Sequence, residues 1–62
     1  MRKFTIGEVV TYIGAVKSIG SVILSSGAKV EVTTTFNEFY YVYFNGEIFQ
    51  CVADDLRRRG KL

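Results

Sequence analysis

Apolar and polar positions alternate with a period of two along much of this chain, the spacing of a strand with one dry and one wet face. The clearest stretch is Phe39 to Val52, FYYVYFNGEIFQCV, two apolar-rich runs joined by Asn45-Gly46. Asn-Gly is the strongest short-range hairpin signal, because a two-residue type I′ turn needs positive φ at both positions. With the turn there, Phe44 faces Glu47, Tyr43 faces Ile48 and Val42 faces Phe49. Further out, Tyr41 faces Gln50, Tyr40 faces Cys51 and Phe39 faces Val52. Tyr40, Val42, Phe44, Phe49 and Cys51 then share one side, with Glu47 at its rim. Val42 opposite Phe49 is a favourable cross-strand pair and marks that side as the core face. The other side carries Phe39, Tyr41, Tyr43, Ile48, Gln50 and Val52, and is more apolar than a solvent face requires. Either curvature and loops such as Ala15–Ser18 cover it, or another molecule does.

The remaining elements follow from the same pattern. Phe4 and Ile6 form a short lead, Gly7-Glu8 turns, and Val9 to Ile13 (VVTYI) reads as a strand ended by Gly14. Ala15 to Ser18 reads as a loop, Ser21 to Ser25 as a second strand, and Ser25 to Ala28 as a second turn. Lys29 to Phe36 is the most regular amphipathic strand, with Val30, Val32, Thr34 and Phe36 on one face and Lys29, Glu31, Thr33 and Thr35 on the other. Phe36-Asn37-Glu38 leads tightly into the hairpin. Ala53 to Arg59 reads as one or two helical turns, with Asp54 as N-cap, acids before bases to suit the helix dipole, and Leu56 plugging the end of a barrel. The expected core is Val10, Tyr12, Val22, Leu24, Val30, Val32, Val42, Phe44, Phe49, Cys51 and Leu56, with Ile23 the alternative to Val22 and Leu24.

Length changes the picture next. Sixty-two residues make one domain, residues 1–62. A chain of this size buries only about 60% of its unfolded surface, so it gains from staples or from self-association. One cysteine and no histidine leave no internal disulfide and no zinc set, and no metal or cofactor is expected. The main resource is a 48% hydrophobic, 15% aromatic composition, with a homo-oligomer as the remaining helper. No apolar run approaches the roughly 18 residues of a membrane span, and the basic start Met1-Arg2-Lys3 is followed by no signal-peptide core. The expectation is a soluble cytoplasmic protein with Cys51 as a reduced, buried thiol.

Catalytic chemistry finds little support. No histidine can serve as base, Cys51 falls on the core face, and Asp54 and Asp55 diverge because they are adjacent. No catalytic residue is assigned. Two binding sets remain. Phe39, Tyr41, Tyr43 and Ile48 form a candidate protein-contact face, for a partner or for a second copy. Arg57, Arg58, Arg59 and Lys61 form a basic tail that could hold nucleic-acid phosphates while the tyrosines stack bases, with Arg2 and Lys3 beside it if the termini meet. A net charge of +2 is small for a polyanion binder, and the tail also serves solubility.

Three stretches resemble the SH3-like barrel superfold in its Tudor and KOW forms. Phe4 to Tyr12 is similar to its opening F-x-x-G-[DE]-x-V-x-Y, and Tyr40 to Gly46 to its Y-x-V-x-F-x-G. Phe49 to Leu56 is similar to its closing strand and short 3-10 turn ending in leucine. The resemblance implies an all-β, SH3-like five-stranded antiparallel barrel with a short C-terminal 3-10 or helical turn. It leaves function open, since such barrels serve nucleic acid, peptide and subunit contacts. Val52 to Arg58 also resembles, loosely, the C-terminal segment of the type II dihydrofolate reductases, SH3-like tetramers with a pore for folate and NADPH. Their Val-Gln-Ile-Tyr strand is replaced here by Glu47-Ile48-Phe49-Gln50, so no catalytic residue carries over.

Overall fold

A computed structural model describes residues 4–58. It contains strands β1 (Val9–Tyr12), β2 (Lys17–Ile19), β3 (Val22–Leu24), β4 (Lys29–Phe36), β5 (Phe39–Phe44), β6 (Glu47–Val52) and β7 (Leu56–Arg57), with a 3-10 turn, Ala53–Asp55, between β6 and β7. Five strands make one curled antiparallel sheet in the order β6-β5-β4-β1-β7, and β2 and β3 make a separate hairpin. The all-β expectation holds. In place of five strands closed into a barrel, the chain forms a five-stranded half-barrel and a two-stranded sheet.

The β5–β6 hairpin has the register its turn dictates, from Phe44 opposite Glu47 to Phe39 opposite Val52. Asn45 and Gly46 adopt φ of 50° and 90°, the pair of positive angles that bends the chain without splaying the strands. The core lies on the predicted side. Phe4, Val10, Tyr12, Leu24, Val30, Val32, Val42, Phe49, Cys51 and Leu56 are buried together. Val22 and Phe44, expected inside, are partly buried and pack against this cluster, and Ile23 points outward. The Tyr12 hydroxyl donates to the Ala15 carbonyl, so its ring enters the core with its polar end satisfied.

Three local expectations need correction. Lys17 and Ser18, expected in a loop, pair with Leu24 and Ile23 as β2. β4 does not alternate to its end: Val32 pairs with Val42 but Thr34 with Tyr41, so Thr33 is an extra residue. Its Oγ1 donates to the Tyr41 carbonyl at 2.9 Å. The bulge reverses the faces beyond it, and Phe36 turns to solvent with Thr34 instead of joining the core. Finally, the expected short C-terminal 3-10 turn is present but does not run on toward Arg59: it ends at Asp55, because Leu56 enters the core and pairs with Tyr12 in β7. The carboxylate that ties this turn down is Asp55, not Asp54. Asp55 Oδ2 accepts from the Val52 N–H at 3.2 Å, and its carbonyl accepts from the Ile13 N–H at 2.7 Å. Gly14 lies flush against it. A Cβ there would fall 2.5 Å from Asp55 Oδ1 and 2.9 Å from the Tyr12 hydroxyl, so a larger residue would have to displace the Asp55 carboxylate and the Tyr12 hydroxyl.

The two ends of the described chain meet. The Gly7 N–H donates to the Val32 carbonyl at 2.6 Å, and the Val32 N–H to the Glu8 carbonyl at 2.9 Å. This carries Phe4, absent from the expected core, edge-on to Tyr40 with ring centroids 5.5 Å apart. The Arg58 guanidinium lies over Phe4 at 4.9 Å from its centroid.

Candidate functional site

The ladders align the outward side chains of the large sheet in rows, because directly opposed residues share a face. One row runs Val9, Glu31, Tyr43, Ile48 across β1, β4, β5 and β6. Tyr43 and Ile48 form a direct pair, 46% and 47% exposed, and Val9 is as open. On one side lie the rows Thr34, Tyr41, Gln50 and Phe36, Phe39, Val52. Phe36 is 64% exposed, whereas Phe39 and Tyr41 are half-buried. On the other side Arg57, Thr11 and Lys29 stand in line. Phe39, Tyr41, Tyr43 and Ile48 are thus brought to one face. The connection at Ala15 is anchored at the inner side, by the Tyr12 hydroxyl.

The basic residues are dispersed. Arg57 is exposed on the outer face. Arg58 is engaged at the chain ends, where its Nε donates to Glu8 Oε2 at 2.6 Å and its Nη2 to Glu8 Oε1 at 3.4 Å. Arg59 and Lys61 lie outside the described residues, as do Arg2 and Lys3. Sequence reasoning missed Lys29, which the β1–β4 register sets opposite Thr11 and so in line with Arg57. It also missed Val9 and Phe36 as members of the apolar face. No local signal marks these, since they depend on pairing between distant strands and on the bulge.

No protein-family model, curated protein or solved structure matches this chain. The face must therefore be read from its own chemistry.

Among the described residues, three groups titrate away from their ordinary values. The Glu8 carboxyl is held down, first by the backbone N–H of Thr5 donating at 3.0 Å and then by the Arg58 guanidinium. Burial pushes the Tyr12 phenol up, and the nearby Asp55 charge adds to it. Burial also pushes the Cys51 thiol up to about 11, with Asp55 again contributing. Its Sγ lies 3.6 Å from the Tyr40 carbonyl, to which the thiol donates. A thiol so placed stays protonated at neutral pH, the reverse of what a nucleophilic cysteine needs. Among the described residues no three His, Cys, Asp or Glu side chains gather as a metal site, and no helix is long and apolar enough to cross a membrane.

Proposed function

We propose that this chain is a small non-enzymatic contact module, of the SH3-like kind, whose outer hairpin face of Phe39, Tyr41, Tyr43 and Ile48 is covered by another protein. The observation that carries the reading is the cross-strand pair Tyr43–Ile48, two large side chains each about half exposed on the outermost two strands of the large sheet. A surface pair of this kind gains free energy whenever a partner removes it from water, and a tyrosine keeps a polar end for the rim of the contact. Kinship to SH3-like barrels is supported by the meander β4-β5-β6 followed by a 3-10 turn and a last strand that returns to β1. The lone protonated thiol suits the cytoplasm.

The test is site-specific photocrosslinking in the native cell. A photoreactive phenylalanine analogue at position 43 gives a discrete protein adduct that Ile48→Lys abolishes. The same analogue at exposed position 26, in the turn before β4, gives none. Identical adduct patterns from both positions, or no adduct from position 43, would refute the reading.

A second reading is favoured by the row Arg57, Thr11, Lys29, which sets two exposed cations on the same face as the tyrosines. In that reading the cations hold phosphates of a single-stranded nucleic acid while Tyr41 and Tyr43 stack its bases. Fluorescence anisotropy with a labelled oligonucleotide decides it. Affinity falls steeply with salt and drops on Lys29→Ala with Arg57→Ala if the reading holds. Salt-independent binding, or none, removes it.

A further inference from the structure

We propose that β6 joins β6 of a second copy of this chain, edge to edge and antiparallel, with Ile48 of each copy opposite Gln50 of the other. In a two-residue hairpin the residues flanking the turn exchange both backbone bonds, and bonded and non-bonded pairs then alternate. The bonded pairs are therefore Phe44–Glu47, Val42–Phe49 and Tyr40–Cys51, and the backbone groups of Ile48, Gln50 and Val52 point away from β5. β6 is the last strand of the large sheet, so among the described residues these groups face no ladder partner. The Val52 N–H is the exception, closed by Asp55 Oδ2 at 3.2 Å. β2 comes beside β6 without joining its ladder, near Cys51, where the Lys17 charge acts on the thiol.

The Val52 C=O is the N-cap carbonyl of the 3-10 turn and accepts its first bond, which leaves one N–H and one C=O on Ile48 and the same on Gln50. A two-fold axis at Phe49 matches these groups with their own copies and uses all of them, forming four backbone bonds. Shifting the register so that Gln50 meets Gln50 would set Ile48 against Val52, whose N–H is already committed to Asp55. An axis at Ile48 would set Gln50 against the Gly46 turn, so only the register centred on Phe49 uses all of these groups. Glu47–Val52 also contains no proline, no lysine and no bulge, three of the usual protections against edge pairing. In this register Glu47 lies opposite Cys51 and no like charges oppose each other. The axis stands perpendicular to the sheet, so Tyr43 and Ile48 of both copies end on one side of a continuous ten-stranded surface. The inference goes beyond the contact reading above, because it depends on the β6 backbone and not on which protein covers the face.

The experiment combines analytical ultracentrifugation with amide hydrogen exchange by NMR on the full chain. The expected result is a dimer whose Ile48 and Gln50 amides are protected and exchange faster on dilution. Gln50→Pro removes one edge N–H per copy at a position where an edge strand tolerates proline, and weakens association by at least about tenfold, while Gln50→Ala does not. Circular dichroism checks that Gln50→Pro still folds; should it unfold, exchange in the unaltered chain decides alone. A monomer at every concentration overturns the proposal. So does a dimer with fast exchange at both amides, or protection of both in a monomer, which would assign the edge to the chain's own terminal segments. Tyr43→Ser separates the two readings: it ends the contact made by the face and leaves the β6 dimer intact.

Discussion

The two sides of the β5–β6 hairpin carry nearly the same chemistry and meet opposite fates. Val42 opposite Phe49 and Tyr43 opposite Ile48 are neighbouring apolar cross-strand pairs. The first is sealed inside, with Val42 at 0% and Phe49 at 2% exposure; the second is about half open. Residue type does not separate them. What separates them is the direction in which the sheet curls, and that is set by everything packed on the inner side: Tyr12 from β1, Leu24 from the small hairpin, Leu56 from β7 and Phe4 from the lead. The lesson is that an apolar strand face becomes core only when distant parts of the chain return to it. A face that none of them reaches stays exposed.

The comparison can be broken most directly by truncating each pair. Phe49→Ala leaves a cavity among fully packed neighbours and is expected to cost about 3–5 kcal/mol. Ile48→Ala, next to it in sequence, is expected to cost about 1 kcal/mol or less. Urea unfolding of both variants measures the difference, and similar midpoints would mean that the two faces are not distinct. For a domain this small the first change alone brings the folded state close to its limit.

A smaller effect is expected at the bulge. Thr33→Val keeps the shape of the side chain and removes its bond to the Tyr41 carbonyl, at a cost of about 1 kcal/mol. If the bulge relaxes, Phe36 is drawn from the outer face toward the inner one. The fluorescence of the tyrosines and the exchange of the Tyr41 amide report that shift.

The smallest effect concerns the cover over the inner face. Phe4 closes that face against Tyr40, and Arg58, held by Glu8, lies over Phe4. The Glu8 carboxyl is held below its ordinary 4.5 in the fold, by the Thr5 N–H and by Arg58. A depressed carboxyl contributes stability above its unfolded value and loses it as pH falls through the folded one. Melting temperature is therefore expected to decline on acidification below the ordinary carboxylate range, and Glu8→Gln to flatten part of that decline. Both groups are solvated, so the change is modest and shrinks with added salt. An acid profile unaltered by Glu8→Gln would show that the contact contributes nothing.

Legibility in the sequence followed the same division. The hairpin could be read pair by pair because Asn45-Gly46 pins its register and its alternation is unbroken. Most of the core followed from it. β4 was legible only as far as Val32. The three threonines at 33–35 are chemically alike, so nothing in the sequence shows that Thr33 is the inserted residue, and Phe36 was placed on the wrong face. β2 escaped notice because Lys17-Ser18-Ile19 is too short to show a period, and it is defined only by its pairing with β3. Leu56 was legible as an inward residue, but Asp54 and Asp55 could not be told apart as capping groups because the start of the turn at Val52 is not marked in the sequence. Of the candidate face, the hairpin residues were visible. Val9 and Lys29 required the β1–β4 register, which joins strands about twenty residues apart and carries no turn signal of its own.

The meeting of Phe4 with Arg58 has a topological consequence. The described residues nearly close on themselves, so a covalent link between positions 4 and 58 would span little distance and remove few conformations. A circle made this way could be reopened at the solvent-exposed Asn45-Gly46 bend, turning β5 and β6 into the two terminal strands. The permuted molecule would keep every ladder of the large sheet but lose the tether between its outermost pair, separating what that bend contributes from what the strands achieve unaided.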